Sequence, residues 1–138
     1  MAKTRSTARR LAVRMARVCA ENRCADVAVL DLRKLSPVTD FFVLATGTSD
    51  RQMRTVAHRA AQEGKELGDK PFGVEGAGPH PGGADHAQWI LIDYVDVVVH
   101  VFTAESRKYY DLELLWGDAT RIDWKRGWTP RDADDEAG

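Results

Sequence analysis

Two short hydrophobic runs, Trp89–Tyr94 and Val97–Phe102, dominate the hydrophobic pattern of the chain, and only two residues separate them. Both runs are rich in β-branched and aromatic residues, and their spacing predicts two antiparallel strands joined by a tight turn. If the connection holds an even number of residues, alternation places one aliphatic set on a single side of the hairpin, which we expect to face the core. That set is Ile90, Ile92, Tyr94, Val97, Val99 and Val101.

The opposite side of the hairpin carries Trp89, Leu91, Asp93, Val98, His100 and Phe102. Aromatic anchors beside a few oriented polar groups are typical of a binding face. The alternative is that helices cover both sides of the sheet, as they often do in parallel and mixed sheets, so that Trp89 and Phe102 belong to the core. The sequence leaves both interpretations open.

After the second run the hydrophobic period changes from two residues to that of a helix. Thr103 is a suitable N-cap, and Tyr109, Leu112 and Trp116 then recur at helical spacing. Glu113 lies among these residues, and a carboxylate near the edge of a core needs a partner. We therefore expect a helical segment that packs near the hairpin and holds Glu113 beside a polar group.

The first half of the chain predicts two helices and three strands. An apolar stripe over residues 11–19 indicates a first helix, and Val27–Leu32 and Phe41–Thr46 indicate buried strands. Ser49, with a glutamine three residues later, has the pattern of a capping box at the start of a second helix. Pro71–Glu75 predicts an edge strand, since it contains proline and glycine. With the hairpin, these elements predict an α+β fold: a mixed sheet of about five strands with helices packed on it.

The domain organisation follows from the polar ends of the chain. We expect residues 10–119 to form one domain, preceded by a loose basic arm at 1–9 and followed by a polar, largely disordered tail at 120–138. Gly76–Ala87 is rich in glycine and predicts a solvated loop that interrupts the domain. The sequence does not decide whether the two tryptophans of the tail pack on the domain.

Composition and charge narrow the classes of function. The formal net charge of −1 argues against a generally basic nucleic-acid-binding protein, so we expect no direct nucleic-acid specificity. No apolar run approaches the ~20 residues that a membrane helix needs. Two cysteines, Cys19 and Cys24, are expected to be reduced, which favours a cytoplasmic protein.

Enzyme chemistry is the main alternative to binding. Ser49 follows a strand and a glycine, where a helix N-terminus is able to hold a phosphate, and Asp93 and Asp96 are three residues apart around the predicted turn. This spacing does not direct both carboxylates at one metal ion. The structural alternative is that Ser49 caps a helix and Asp96 forms the turn.

Candidate metal ligands occur in the glycine-rich loop, which contains His80, Asp85 and His86. These residue types bind transition metals. However, the segment supplies no evident fourth ligand, and a solvated loop is the expected state. We predict no metal site and no cofactor.

Four motifs follow one another between residues 89 and 116. They are W-x-x-x-D (Trp89 and Asp93), D-V-V-V-H-V-F (Asp96 to Phe102), R-x-x-Y (Arg107 and Tyr110) and L-E-x-L-W (Leu112 to Trp116). Together with the upstream run Asp31–Gln52, they resemble the ribosomal silencing factor family, also called RsfS or Iojap. The resemblance covers roughly residues 11–119 in order.

This resemblance implies a fold similar to nucleotidyltransferases and a function that is not enzymatic. Members of the family bind the large ribosomal subunit through its ribosomal protein number fourteen, at the surface that faces the small subunit. They thereby block subunit joining and lower translation when nutrients are scarce. The resemblance also implies a homodimer in the free state. The alternative function is a nucleotidyltransferase-like enzyme that acts on a nucleotide through Ser49 and Asp93.

The expected partner-binding residues lie on the mixed side of the hairpin and on the helical segment that follows it. They are Trp89, Asp93, His100, Phe102, Tyr110, Glu113 and Trp116. Val95 departs from the family pattern, which has glycine at this position. A β-branched residue resists a positive φ, so we expect another turn than type I′, or a longer loop.

Overall fold

A computed structural model describes residues 7–76 and 88–129 of the chain. The basic arm at residues 1–6, the loop at 77–87 with its three candidate metal ligands, and the tail at 130–138 lie outside the described residues. The helices are α1 (Ala8–Glu21), α2 (Asp50–Glu66), α3 (Ala104–Tyr110) and α4 (Leu112–Leu115). The strands are β1 (Ala25–Asp31), β2 (Phe41–Thr46), β3 (Gly73–Glu75), β4 (Trp89–Asp93), β5 (Val97–Phe102) and β6 (Thr120–Arg121).

The described strands form one mixed sheet in the order β3-β4-β5-β2-β1-β6. β5 runs parallel to β2, and the other neighbouring strands are antiparallel. This architecture confirms the predicted α+β class. The sheet has six strands rather than about five, because the two-residue strand β6 pairs with the end of β1. The observed strands β1 and β3 differ from their predicted bounds only at the ends.

One side of the sheet forms the main core under α1 and α2. Thr7 caps α1 by accepting a hydrogen bond from the Arg10 amide, and Ser49 caps α2 by accepting one from the Gln52 amide. The capping box predicted at Ser49 is formed in part, because the Gln52 side chain accepts from the Thr48 amide at 3.0 Å and not from the Ser49 amide. The two helices cover the aliphatic side of the hairpin, and all of its residues are buried as expected. The fully buried side chains of this core include Met15, Phe41, Val43, Met53, Val56, Ile90, Ile92, Val99 and Val101.

Close contact between α2 and β4 depends on a glycine. A Cβ atom on Gly64 would lie 2.3 Å from the hydroxyl oxygen of Tyr94, so a side chain at this position would displace the tyrosine. Tyr94 instead donates a hydrogen bond to the Ala60 carbonyl at 3.1 Å. The small residues on this face of α2 thus allow the helix to approach the sheet.

The β4–β5 hairpin has the predicted register. Trp89 pairs with Phe102 and Asp93 pairs with Val98, so two residues form the turn. Val95 has a φ of 73°, and the Asp96 amide donates to the Tyr94 carbonyl at 2.9 Å, which is a three-residue γ-turn. Asp96 has no positive φ, so the turn is not type I′. The expectation of a turn other than type I′ is therefore confirmed, although Val95 does adopt the positive φ that its β-branched side chain resists.

The second side of the sheet is covered in part by the segment after β5. A smaller core forms there, and Phe102 is fully buried in it. Trp89, Phe42, Leu112 and Trp116 pack around this core and are partly exposed. Both interpretations of the mixed side therefore hold for different residues: Phe102 is core, whereas Trp89 reaches the surface.

The folded body continues past residue 119, where the sequence analysis ended the domain. Trp124 is 7% exposed, and its indole N–H donates to the Val27 carbonyl at 3.0 Å. Trp128 lies against Trp124 with ring centroids 5.4 Å apart and donates to a carboxylate oxygen of Glu21 at 3.2 Å. Both tryptophans therefore dock on the domain. Their hydrogen bonds join the end of the described chain to α1 and β1.

Within the described ranges, no helix has the length and apolar character that crossing a membrane requires.

Candidate partner-binding surface

Trp89 and His100 form a hydrogen-bonded pair beside α3. They lie on the neighbouring strands β4 and β5, and the indole N–H of Trp89 donates to Nδ1 of His100 at 3.0 Å. The ring of Tyr110 packs against the Trp89 indole with centroids 4.8 Å apart. The indole is thus fixed by one polar contact from the sheet and one aromatic contact from the helix.

Burial keeps His100 neutral. The residue is 4% exposed, and burial lowers the pKa of its imidazole to about 4. Because Nδ1 accepts the Trp89 hydrogen bond, the proton of the neutral ring lies on Nε2. Among the described residues, Nε2 has no hydrogen-bond partner. His100 is therefore a buried acceptor that positions Trp89.

Three further aromatic residues pack around this pair and form an aromatic cluster with it. Phe42 meets His100 edge-on at 4.5 Å between centroids and meets Trp116 edge-on at 6.1 Å. Phe102 lies 5.5 Å from Trp89. Edge-to-face contacts at these distances hold rings in fixed orientations, so the cluster is a rigid base for α3 and α4.

Arg107 links α3 to the sheet and to α4. Its guanidinium donates to Glu113 Oε1 at 2.8 Å, to the Asp26 carbonyl at 2.6 Å and to the Thr46 hydroxyl at 3.0 Å. Glu113 also accepts from Arg121 of β6 at 2.7 Å. Hydrogen bonds from Arg107, and then from Arg121, lower the pKa of Glu113 below its usual range. The partner expected for Glu113 is thus Arg107.

Two irregularities of the main chain help to position Arg107 and the helices α3 and α4. The register of β1 against β2 shifts between Ala25 and Ala28, and Asp26 in the shifted segment has a φ of 49°. It is the carbonyl of Asp26 that Arg107 binds. Asp111 has a φ of 45° between α3 and α4, and its side chain accepts from the Leu114 amide. A bulge and a kink therefore help to set the position of the helical segment.

Large apolar side chains on α3 and α4 face solvent. Tyr109 is 80% exposed, Tyr110 55%, Leu114 77% and Leu115 71%. We call these four residues the α3–α4 surface. Scattered exposed apolar residues are ordinary, but four within seven positions form a patch of the kind that marks interaction sites.

The predicted site residues divide into three groups. Phe102 and His100 are buried and support the surface instead of forming part of it, because Phe102 is 0% exposed and His100 4%. Trp89, Tyr110 and Trp116 reach solvent around them. Glu113 is connected to the aromatic residues through its partner Arg107. The Cζ atom of Arg107 lies 5.5 Å from the centre of the Phe102 ring.

Asp93 stands apart from the other predicted residues. It lies four positions along β4 from Trp89, ~13 Å away at the usual rise of a strand. Its carboxylate accepts a hydrogen bond from the Val95 amide at 2.7 Å and so stabilises the hairpin turn. We assign it a structural role.

The candidate binding residues named from the sequence do not include Tyr109, Leu114, Leu115 and Arg107. The signal for the leucines is present: three leucines within the four residues of α4 point in different directions, so they cannot all face one core. For Arg107, the need of Glu113 for a partner was the available signal. Neither pattern says how the short helices fold back onto the sheet.

The residues named for the enzymatic alternative have structural roles. Ser49 caps α2, and Asp93 accepts from a turn amide. Among the described residues, no group of three or more histidine, cysteine or acidic side chains is arranged to hold a metal ion. The cap at Ser49 matches the structural alternative, and Asp96 lies in the turn as that alternative states. The side-chain contact of Asp93 in the same turn was not part of it.

Comparison with known proteins identifies the family. The family model described as "Ribosomal silencing factor during starvation" matches residues 5–137. The chain belongs to the ribosomal silencing factor family. Its sequence is 39% identical to ribosomal silencing factor RsfS of Bacillus subtilis over 108 residues, which cover 78% of this chain and 86% of that protein. The match extends beyond the motifs between residues 89 and 116.

Two solved structures are similar to this fold. A crystal structure of a protein from Chromobacterium violaceum gives a TM-score of 0.66 at 32% identity, covering 91% of this chain and 89% of that one. A crystal structure from Bacillus halodurans gives 0.64 at 32% identity, covering 83% and 94%. The mixed sheet with its helices is thus shared with these proteins. The expected similarity to nucleotidyltransferases stays a prediction.

Membership of the ribosomal silencing factor family indicates a regulatory protein that associates with the ribosome. The α3–α4 surface lies in the segment that carries the four family motifs, residues 89–116. The aromatic cluster that it packs on lies there too, except for Phe42 of β2.

Proposed function

We propose that this ribosomal silencing factor binds the large ribosomal subunit through its ribosomal protein number fourteen and sterically blocks joining of the small subunit. Translation is repressed as a consequence. Family membership supports ribosome association, and the α3–α4 surface supplies a place for the contact. The mechanism requires no chemical step.

The observation that carries this proposal is the exposure of apolar side chains on a rigid base. Tyr109 and Leu114 are each more than three-quarters exposed, although both are large enough to stabilise a core. The Arg107 network and the aromatic cluster hold their helices against the sheet, so binding need not order this segment first. Fixed aromatic and aliphatic anchors contribute most of the free energy of protein interfaces.

Steric exclusion follows from the size of the bound body. A folded chain of this length has a radius of gyration of ~14 Å. Two subunits that meet through direct contacts leave no room for such a body between them. Occupation of a contact site is therefore sufficient to prevent joining.

The same surface offers a contact for self-association. An exposed apolar patch favours burial against another protein, and a second copy carries the same patch. The proposal therefore includes a homodimer of the free protein that uses the α3–α4 surface. The large subunit then competes with the second copy for this surface. Sedimentation of the free protein over a range of concentrations measures this equilibrium.

Co-sedimentation with purified large and small subunits tests the binding step. The wild-type protein is expected to sediment with large subunits and not with small subunits. Tyr109→Ala combined with Leu114→Ala should weaken this binding by at least ~30-fold, the effect of ~2 kcal/mol. Equal sedimentation with both subunits, or none with the large one, would reject the proposal.

A matched control separates the surface from general apolar exposure. Phe72 is 80% exposed, like Tyr109, but it precedes the edge strand β3. Val38 is 79% exposed in the connection between β1 and β2. Phe72→Ala combined with Val38→Ala should bind large subunits as the wild type does. A loss equal to that of the α3–α4 variant would place the contact elsewhere.

A further inference from the structure

The outward face of α2 carries a row of cationic residues. Arg51, His58 and Arg59 are exposed and lie at helical spacing, with Thr55 and Gln62 between and beyond them. From Arg51 to Gln62 the helix contains no acidic residue. We call Arg51 and Arg59, with the imidazole of His58 beside them, the cationic stripe. The chain has a net charge of −1, so this stripe is a local separation of charge and not part of a generally basic surface.

The stripe is continuous across the surface. The side chains of Arg51, Arg54, His58 and Arg59 line one shallow depression along the helix. A second depression joins Arg51 to Arg23, which lies just beyond the end of α1. A cationic surface thus extends from the end of α1 along two turns of α2, with the acidic residues Asp50 and Glu21 at its margin.

The arginines of the stripe are free to take a new partner. Within residues 7–76 and 88–129, Arg51 and Arg59 have no carboxylate oxygen at ion-pair distance. Arg54 differs, because it is bound to Asp50 at 3.0 Å. The unpaired guanidinium groups of the stripe point to an anionic partner.

We infer that the cationic stripe of α2 binds the phosphate backbone of RNA without reading its sequence. Arginine presents a planar fork of donors that matches a phosphate group. Arg51 and Arg59 are eight residues apart, ~12 Å along the helix, so they reach more than one phosphate of a strand. Contacts of this kind position a protein on a nucleic acid and carry no sequence information.

RNA fits the stripe better than a lipid surface does. A helix that binds membranes inserts an apolar face beside its cationic face. The apolar face of α2 is already used, since Met53, Val56 and Ala60 are each fully buried against the sheet. The exposed positions between the cations are Thr55 and Gln62, which are polar.

RNA also fits the stripe better than an acidic protein does. The cations lie along one face of a single helix, and the phosphates of a strand repeat in a regular row. An acidic protein surface offers no such repeat and usually pairs its carboxylates with its own cations. The α3–α4 surface leaves the stripe accessible, because α2 and α3 pack on opposite sides of the sheet. RNA contact is therefore compatible with a protein partner on the other side.

The test measures binding of the full chain to a fluorescent RNA duplex of mixed sequence, by anisotropy at several salt concentrations. The wild type is expected to bind with a Kd of roughly 1–100 µM, typical of non-specific contacts, and to weaken as salt rises. Arg51→Glu combined with Arg59→Glu should weaken binding at least ~10-fold. The slope of log Kd against log salt should fall by about 2, one unit for each lost contact.

The control variant is Lys34→Glu combined with Lys70→Glu. Both lysines are exposed and lie outside α2, and the control changes the net charge as much as the stripe variant does. It should bind the duplex nearly as the wild type does, with the same salt slope. Thermal unfolding followed by circular dichroism checks that both variants fold.

Three results would overturn the inference. The first is that the wild type does not bind the duplex at low salt. The second is that the control loses as much affinity for the duplex as the stripe variant does. The third is that polyglutamate or anionic vesicles bind the stripe more tightly than the duplex binds it. Because the probe is free RNA, these outcomes do not depend on whether the protein blocks subunit joining.

Discussion

Val95 holds a backbone conformation that its side chain disfavours. Its φ of 73° is unusual for a β-branched residue, and such strain costs on the order of 1–3 kcal/mol. The side chain is half exposed, so little buried area is lost on its removal. Val95→Gly should therefore raise the free energy of unfolding by about 1 kcal/mol, measured by urea denaturation.

The control for this prediction is Val38→Gly, at an exposed valine that has no positive φ. Here glycine only adds conformational entropy to the unfolded chain, so this change should slightly destabilise the protein. A Val95→Gly variant no more stable than the wild type would show that the turn is not strained.

The buried imidazole of His100 should make the stability of the fold depend on pH. Burial lowers its folded pKa to about 4, whereas an unfolded histidine titrates near 6.5. Below pH 6.5 the unfolded chain binds a proton that the folded chain does not. The stabilisation is thus complete above pH 6.5 and is lost as the pH falls toward 4. We expect a loss of about 2 kcal/mol between pH 7.5 and pH 5.

The matched variant is His100→Gln, which keeps an acceptor for Trp89 but does not titrate in this range. Urea denaturation at both pH values should show that most of the pH dependence disappears in this variant. If wild type and variant lose equal stability between the two pH values, another group is responsible.

The burial of individual residues could be predicted from sequence where the two-residue alternation of a strand alone determines it. Ile90, Ile92 and Val99 were placed in the core because strand alternation leaves no other choice once the register is set. His100 and Phe102 share the alternation of Trp89, yet they are buried. Their burial depends on where α3 and α4 lie, which no local pattern specifies.

At the scale of elements, α3 and α4 depend on Arg107. Its side chain is 11% exposed, and its charge is balanced by Glu113. Glu113→Gln removes that balance and leaves a partly buried guanidinium without a carboxylate. The result should be faster amide hydrogen exchange in residues 104–116, by roughly 10-fold, with little change in the core strands.

Asp31→Asn provides the comparison, since it removes the surface pair between Asp31 and Arg33. Surface pairs contribute little, so exchange in residues 104–116 should match the wild type. Unchanged exchange in the Glu113→Gln variant would mean that packing alone holds the two helices.

The long helices and strands followed from sequence, as did the short edge strand β3, whereas β6 did not. α1, α2, β2 and the hairpin each have a sustained period or a capping signal. β6 is two residues long and has no such pattern, and it forms because β1 offers an open edge beside it. The kink between α3 and α4 rests on one residue, Asp111, whose side chain caps α4.

At the scale of the whole molecule, the end of the described chain is part of the fold. Trp124 is buried against β1, and Trp128 packs on it at the surface. Trp124→Ala should lower the free energy of unfolding by ~3–5 kcal/mol, as large-to-small changes in a core do. Trp128→Ala should have a clearly smaller effect, because that side chain is partly exposed. A Trp124→Ala variant as stable as the wild type would contradict the docking of this segment.

In the proposed mechanism, a small folded body held through its α3–α4 surface keeps the ribosomal subunits apart. Light scattering during mixing of purified large and small subunits measures joining directly. Large subunits incubated first with a saturating amount of the protein should give little increase in scattering. The Tyr109→Ala, Leu114→Ala variant at the same concentration should leave joining nearly unimpaired. Normal joining in the presence of saturating wild-type protein would contradict the account.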